Sequence, residues 1–494
     1  MNTQADTNRR FFIKTLGCKV NQYESQAIRE LLLNAGFKEC LAKETADVYV
    51  LNTCTVTRKA DSESRRWAGM FHKTNPNAKI VLTGCAVENN AGAFSFLPGV
   101  SNIIKNADKI NIADILTHNP NTQYARRMTH DEPHRFLSIT GFKDHTKAFV
   151  KIQDGCANAC SYCKVPSVRG GSISRPLHDI AEEAKTLVSN GFEEIVLTGI
   201  CLGAWGSDLA EKQSIVDVLK AICGIPGVFR IRLSSIEPKY ITDELIGYIY
   251  QNRKICRHLH IPIQSGDDEI LGRMNRPYTA LGMRDLIVKV RKKIEGVGIT
   301  TDVLIGFPGE TDKNFRNTVN FIKEVLPVKT HIFPFSKRDG TAACTMEGVV
   351  PENEIKKRFQ SMKIASITAS YLYREGFLKK LVDVLVESKK ERYSGRLTGY
   401  SDNYIKVVFD GPDSLMKRIV PVRIEELSLS YTMGSYVELD QVSYKKLDPS
   451  TLRLGSTPLT TGRSGSMVSI AEPSVGSGSS AELLSSLGKN SGRH

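Results

Sequence analysis

The sequence predicts an α/β protein in three parts: an N-terminal parallel α/β domain over residues 9–121, a central partial (β/α)6 barrel over 148–371, and a small C-terminal β-barrel over 372–443. Three observations predict it. Three apolar runs near the N-terminus each end in cysteine at the spacing of a βαβ unit; six further strand-like runs alternate with amphipathic patterns; and beyond Gly376 the sequence turns to short runs punctuated by Gly, Asn and Asp. At 494 residues the chain has room for about three domains, and 41% hydrophobic with 24% charged residues excludes both a single small module and wholesale disorder. Lys and Arg (67) exceed Asp and Glu (53), a net charge of +14 that favours a polyanionic partner.

In the first part, FFIKTLGC, DVYVLNTC and AKIVLTGC end in Cys18, Cys54 and Cys85, spaced 36 and 31 residues apart. The intervening stretches QYESQAIRELLLNAG and VTRKADSESRRWAGMFHKT read as helices, the first stopped by Gly36 and the second by Asn75-Pro76. Strands so connected run parallel, with their C-terminal ends on one edge, so the three cysteines are expected to converge there. Residues 122–147 are polar and broken by Pro133, which suits a linker. In the second part the strand-like runs are AFVKIQ, EEIVLTG, FRIRLSS, HLHIPIQ, ITTDVLIGF and KTHIFPF. A closed eight-stranded barrel or an open doubly wound sheet would use the same alternation. The third part reads as strands at LVDVLVES, GRLTGYSDNYIKVVFDG, KRIVPVRIEEL and SYVELDQV, after a helical stretch ending near Gly376. From Gly455 onward 18 of 40 residues are Ser or Gly, so 455–494 is expected to be a disordered tail. The opening MNTQADTNRR has no apolar segment and no run reaches about 18 apolar residues, so a cytoplasmic protein with no membrane span is expected.

Eleven cysteines are too sparse and too odd in number for a disulfide scaffold. The sharpest signal is GCANACSYCKVPSVRGG, in which Cys156, Cys160 and Cys163 form CxxxCxxC directly after the first central strand. Structural zinc is the rival reading, but zinc usually takes a fourth Cys or His and the sequence offers none nearby. Three thiolates on a four-iron (4Fe-4S) cluster leave one iron free to bind a small molecule, which implies chemistry rather than electron storage.

This motif, with Tyr162 before its last cysteine and opening a β/α domain, resembles the radical S-adenosylmethionine (SAM) superfamily. The resemblance implies that the open iron chelates SAM and that reduction releases a 5'-deoxyadenosyl radical. With the three-cysteine domain upstream and a β-module downstream, the chain is similar over about 440 residues to the methylthiotransferases, whose third domain is a TRAM domain. TLGCKVNQYES, LHIPIQSGDDEILGRMNRPYT, DVLIGFPGETDKNF and HIFPFSKRDGTAA resemble the tRNA branch acting on N6-threonylcarbamoyladenosine. Lys19 and Val20 discriminate, because the isopentenyladenosine branch typically carries GCQMN there and the ribosomal-protein branch GCPKN. By this resemblance Cys18, Cys54 and Cys85 hold a second 4Fe-4S cluster, two SAM molecules are used per turnover, and an external electron donor and sulfur source act with tRNA. The expected product is a methylthio group at adenine C2 next to the anticodon. Methylthiolation of isopentenyladenosine tRNA or a ribosomal protein is the alternative, and a non-catalytic zinc-stabilised RNA-binding protein is the alternative of another class.

Thr198, Gly199, Ser235, Glu237 and Gln264 follow or end central strands, where a (β/α) barrel places its ligands, and are the expected SAM-binding residues; ordinary strand-end chemistry would also put polar residues there. Gly306–Glu310, GFPGE, reads either as a wall of that pocket or as a turn. Cys201 stands in LTGICLG where the family more often has histidine, so no ligand role is given to it. Cys40, Cys223, Cys256 and Cys344 stand alone and read as packed thiols. Ala157, Ala159 and Lys164 depart from common family residues while the three ligands stay intact. In the third part Lys379, Lys380, Lys389, Lys390, Arg392, Arg396, Lys417, Arg418 and Arg423, with Tyr393, Tyr400 and Tyr404 interleaved, are expected to meet phosphates and stack on unpaired bases. Arg65, Arg66, Arg169, Arg175 and Arg276 are expected to extend that path. Oligomeric state is not encoded in any feature of the sequence.

Overall fold

The computed structural model describes residues 9–41, 44–55, 58–117 and 136–438, without the side chains of 58 and 59. The tail at 455–494 and most of the expected linker lie outside the described residues.

The N-terminal domain runs β1 (Arg10–Thr15), α1 (Lys19–Asn34), β2 (Lys38–Glu39), β3 (Val48–Thr53), α2 (Arg58–Thr74), β4 (Lys79–Gly84), α3 (Cys85–Asn90), α4 (Gly92–Ser95), β5 (Val100–Ile104) and α5 (Ile112–Thr117). Its strands form one parallel sheet in the order β2-β1-β3-β4-β5. The three expected strands are its centre, and two short edge strands are added. Every residue of β3 is buried, as a central parallel strand covered on both faces requires. One face packs Tyr49 flat on Phe71 of α2, with ring centroids 4.5 Å apart. The other packs Phe11, Val48 and Val50 under Ile28 and Leu32 of α1.

The central domain continues with β6 (Ala148–Lys151), β7 (Gln153–Asp154), α6 (Val165–Arg169), β8 (Ile173–Ser174), α7 (Leu177–Ser189), β9 (Glu194–Thr198), α8 (Ile215–Cys223), β10 (Arg230–Leu233), α9 (Asp243–Gln251), β11 (His258–His260), α10 (Asp268–Arg273), α11 (Ala280–Lys293), β12 (Gly298–Ile305), α12 (Asp312–Val325) and β13 (Lys329–Pro334). Two parallel three-stranded sheets, β6-β9-β10 and β11-β12-β13, join through parallel bridges Ile231–Ile255 and Ser235–His260. The result is a six-stranded partial barrel with β6 and β13 at its margins. β11 is only three residues long, since Pro262 has no N–H to continue the ladder. Helix starts follow local chemistry: Ser214 and Asp217 close a capping box on α8, and Thr311 and Asn314 close another on α12.

Helix α13 (Glu352–Glu375) leads into β14 (Leu381–Val386), β15 (Leu397–Ser401), β16 (Lys406–Asp410), β17 (Ile419–Leu427) and β18 (Thr432–Tyr436), a closed barrel in the order β14-β15-β16-β18-β17. The last strand lies a few residues before the expected SYVELDQV and shares only Ser435 and Tyr436 with it. This small barrel caps the N-terminal end of the central one. Arg230 donates to the carbonyls of Asp383 (2.9 Å) and Tyr400 (2.8 Å), and Arg232 to those of Asp402 (2.8 Å) and Ser401 (2.9 Å). Both arginines also hold the buried Glu194, at 2.6 and 2.9 Å. Among the described residues, no helix is long and apolar enough to cross a membrane.

Candidate active site

Cys18 stands just before α1, Cys54 directly follows β3, and Cys85 opens α3, so all three lie at the C-terminal edge of the parallel sheet. Their close approach depends on two glycines in left-handed backbone. A Cβ on Gly17 (φ +95°) would lie 2.7 Å from Cys54 Sγ, and one on Gly84 (φ +97°) would lie 2.4 Å from the Thr53 carbonyl oxygen. Asn21 ties the same loops together, donating from Nδ2 to the carbonyls of Leu16 (2.8 Å) and Thr53 (2.9 Å). Cys54 and Cys85 are buried, whereas Cys18 is exposed. Burial pushes the Cys85 thiol up from its ordinary value, against the pull of Arg169 and Lys109.

The second set lies at the C-terminal rim of the central barrel, and each of its sulfurs faces a donor. The N–H of Asn158 donates to Cys156 Sγ and that of Val165 to Cys163 Sγ, both at 3.4 Å, while Arg276 Nη1 donates to Cys160 Sγ at 3.2 Å. Gln153 braces the loop from below, donating to the carbonyls of Asp154 and Gly155 at 2.7 Å each. Tyr162 packs edge-on to Phe307 (centroids 6.4 Å), which packs on Phe335, an apolar support under one side of the loop. Phe307 belongs to GFPGE, whose Gly306 (φ +74°) and Gly309 (φ +86°) make it a turn.

Cys201, set aside from its sequence position, lies against Cys156. Its backbone N–H is held by Gln153 Oε1 at 2.8 Å, and Asn158 Nδ2 reaches its sulfur at 3.8 Å. The contact with Cys156, followed by burial, pushes the Cys201 thiol up, and the same contact lowers Cys156 to about 6. Of the other single cysteines, Cys40 and Cys256 are buried and Cys223 and Cys344 half-buried.

Thr198 ends β9 and its carbonyl accepts from the Ile152 N–H at 2.9 Å; Gly199 lies against Gln153. Ser235 bridges to His260, and Gln264 (φ +63°) bridges to Val303. All stand at strand C-terminal ends on the cysteine side. Glu237 is joined to that cluster of contacts directly, through Arg276 Nη2 at 2.5 Å and so to Cys160.

Arg169 connects the two cysteine regions. It donates from Nε to Cys85 Sγ (3.2 Å), from Nη1 to Glu24 (2.9 Å) and Asp154 (3.0 Å), and from Nη2 to Asn21 Oδ1 (2.7 Å). Glu24 on α1 also meets Lys151 (2.8 Å) and Lys109. Burial works against the Glu24 charge, but Arg169, Lys109 and Lys151 outweigh it and hold the carboxyl well below the usual range. Glu24→Gln leaves three buried cations short of their shared partner and is expected to cost about 3–5 kcal/mol, read by denaturant unfolding; a loss under about 1 kcal/mol would contradict this account of the domain junction.

Part of the expected RNA path is thereby corrected. The side chains of Arg169, Arg175 and Arg276 are buried and committed to interior carboxylates, Arg175 to Glu183. Tyr400 and Tyr404 are also unavailable as base platforms: Tyr404 stacks on His258 at 4.5 Å under Arg232, and Tyr400 packs on Tyr404 beneath Lys147. Tyr393 remains 77% exposed, among exposed Lys389, Lys390, Arg392 and Arg396. Arg65 and Arg66 are exposed on α2, and Arg65 lines a cavity of about 290 Å³ shared with Lys164, Lys337 and Arg338.

Residues 10–104 match the uncharacterized protein family UPF0004, residues 150–322 the radical SAM superfamily, and residues 379–437 the TRAM domain. The threonylcarbamoyladenosine tRNA methylthiotransferase MtaB of Bacillus subtilis is 37% identical over 435 residues, covering 86% of this chain and 96% of that protein. The chain belongs to the radical SAM methylthiotransferases. A second MtaB, from Thermotoga maritima, is 37% identical over 420 residues, 84% of this methylthiotransferase and 94% of that one. The tRNA-2-methylthio-N(6)-dimethylallyladenosine synthase of Clostridium tetani is 33% identical over 431 residues, with 86% and 95% covered. Membership of the radical SAM superfamily implies one 4Fe-4S cluster and SAM, and the TRAM domain implies an RNA partner, so the methylthiotransferase is a tRNA-modifying enzyme.

Proposed function

We propose that this enzyme methylthiolates C2 of N6-threonylcarbamoyladenosine next to the anticodon of tRNA, in the cytoplasm. The observation that carries this reading is the similarity to MtaB proteins from two distant bacteria over nearly their whole length. The 33% identical dimethylallyladenosine synthase supports the second reading, the same chemistry on a neighbouring tRNA substrate.

Cys156, Cys160 and Cys163 would hold the SAM-binding cluster, and Cys18, Cys54 and Cys85 a second. The donor arrangement fits such a group: the Asn158 and Val165 N–H groups and the Arg276 guanidinium aim at sulfurs that ligation would leave negatively charged, and such hydrogen bonds tune potential and affinity. Arg169 does the same for Cys85. A four-iron cluster held by these three sulfurs would supply SAM binding and, with an external donor, the electron for SAM cleavage. The second set, on the facing edge of the N-terminal sheet and linked to the first by Arg169, suits delivery of sulfur from an external source. A second SAM then contributes the methyl group. Thr198, Gly199, Ser235, Glu237 and Gln264 would line the SAM site, with Glu237 fixed by Arg276.

The exposed cations around Tyr393 are one part of the TRAM barrel open to tRNA, and Lys379, Lys417, Arg418 and Arg423 are exposed as well. Lys389→Glu combined with Arg392→Glu is expected to weaken tRNA binding and to lower the slope of log affinity against log salt by about 1–2. Filter binding at several salt concentrations reads both; an unchanged slope would remove this face from the RNA path. The function itself is tested by mass spectrometry of nucleosides from tRNA incubated with reconstituted enzyme, SAM, reductant and sulfide. The 2-methylthio derivative of threonylcarbamoyladenosine is expected. A product only on dimethylallyladenosine would favour the second reading, and no product on either would oppose both.

A further inference from the structure

The lumen of the central barrel holds a charge set that the cysteine chemistry does not use. Thr300 Oγ1 meets His258 Nε2 and His260 Nδ1, each at 2.9 Å, which turns residues 300 and 302 of β12 inward. Their cross-strand partners on β13 are Lys329 and His331, which therefore face the same way. From the N-terminal domain, Lys19 lies within electrostatic reach of Lys147, Arg232, Glu194 and Asp302, all on the central domain. Lys19 and Lys329 both keep solvent-exposed surface.

Most of these charges are already matched. Arg230 and Arg232 hold Glu194 and carbonyls of the TRAM barrel, Lys147 meets Glu387 at 3.4 Å, and Asp302 lies 3.1 Å from His260 Nε2. Lys19 and Lys329 have no hydrogen bond or ion pair among the described residues. An anion entering this space would meet two ammonium groups that have no other partner, and its charge would offset their mutual repulsion. His260, Asp302 and His331 place ligand atoms within 4.8 Å of one another, as a divalent cation site would. The two neighbouring lysines oppose a cation there, and burial together with Lys329 keeps His331 neutral, lowered to about 4. The field selects an anion.

We propose that Lys19 and Lys329 form a carboxylate-reading subsite in the lumen, with His331 beside them, which engages the threonyl carboxylate of the substrate's N6 substituent. This rests on the proposed function. The threonylcarbamoyl group named in the MtaB relatives carries a carboxylate and a hydroxyl, whereas a dimethylallyl group carries neither. In adenine, C2 and C6 flank N1, so a base that offers C2 to the cysteine rim leaves its N6 substituent free to run into the well. The well's floor is bordered by Ser401 and Tyr404. An RNA phosphate has the same charge, and the test separates the two.

The holoenzyme is assayed on two anticodon stem-loop RNAs, one carrying threonylcarbamoyladenosine and one carrying its neutral threonine carboxamide. Wild type is expected to show a KM about tenfold lower for the carboxylate RNA, and Lys19→Gln and Lys329→Gln each to raise KM about tenfold for that RNA alone. Lys329 is remote in sequence from every cysteine, so its variant stays informative if Lys19→Gln disturbs the Cys18 loop. Equal loss on both RNAs would mean that the lysines serve phosphate or general structure and would overturn the subsite. Unchanged KM in Lys329→Gln with no wild-type preference would do the same. If wild type modifies neither RNA but acts on a dimethylallyladenosine stem-loop, the substrate assignment fails first and the subsite with it.

Discussion

Cys160→Ala is expected to reduce SAM cleavage to background. Cys160 is the middle residue of the CxxxCxxC loop, and Arg276 donates to its sulfur at 3.2 Å while gripping Glu237. The variant leaves two thiols for a group that needs at least three, and leaves Arg276 with one fewer acceptor in an interior where it is 3% exposed. The loop should still fold, because its backbone is held by Gln153, by the Ser161 N–H bond to the Met274 carbonyl (3.1 Å) and by the Tyr162 contact with Phe307. The readout is 5'-deoxyadenosine formed under reducing, oxygen-free conditions. Retained formation at a tenth of the wild-type rate or more would contradict the assignment of Cys160 as a ligand.

Cys54→Ala is expected to separate the two chemistries. Cys54 lies in the buried strand-end cluster, against Gly17, and its loss removes a thiol from the N-terminal set without touching the rim of the central barrel. SAM cleavage should persist at a substantial fraction of wild type, because Cys156, Cys160, Cys163 and their donors are unaltered. Formation of methylthio nucleoside should fall to background, because sulfur delivery is the task assigned to the other set. Normal product would refute that division of labour. Loss of both activities would show instead that the Arg169 junction makes the two sites one structural unit, and Glu24→Gln would then be expected to reproduce it.

Much of this architecture is legible in the sequence, because parallel α/β domains advertise themselves through long apolar strands and helices between them. The runs ending in Cys18, Cys54 and Cys85 became β1, β3 and β4 or their immediate sequels, and period plus spacing placed all three thiols on one sheet edge. β2 is not legible because two residues carry no period, and β5 because VSNII is a short, half-buried edge strand. Chain curvature was not legible either: the bridges Ile231–Ile255 and Ser235–His260 that join two sheets into one partial barrel leave no mark on composition. Arg169, Arg175 and Arg276 look like RNA-binding cations in a basic chain, and only tertiary contacts show them neutralised by Glu24, Asp154, Glu183 and Glu237. Tyr400 and Tyr404 mislead for a similar reason, since the faces they offer are used to seal the central barrel. Gln153 gives no sequence signal beyond standing just before the cysteine motif, and Cys201 gained its neighbour Cys156 only through folding.

The central claim is that two sets of three cysteines each anchor a four-iron cluster. Metal analysis of anaerobically purified protein tests it most directly, on wild type and on the triple variant Cys18→Ala, Cys54→Ala, Cys85→Ala. The account predicts brown protein with about eight iron atoms per chain, falling to about four in the variant. Colourless wild-type protein with stoichiometric zinc and no iron would contradict it.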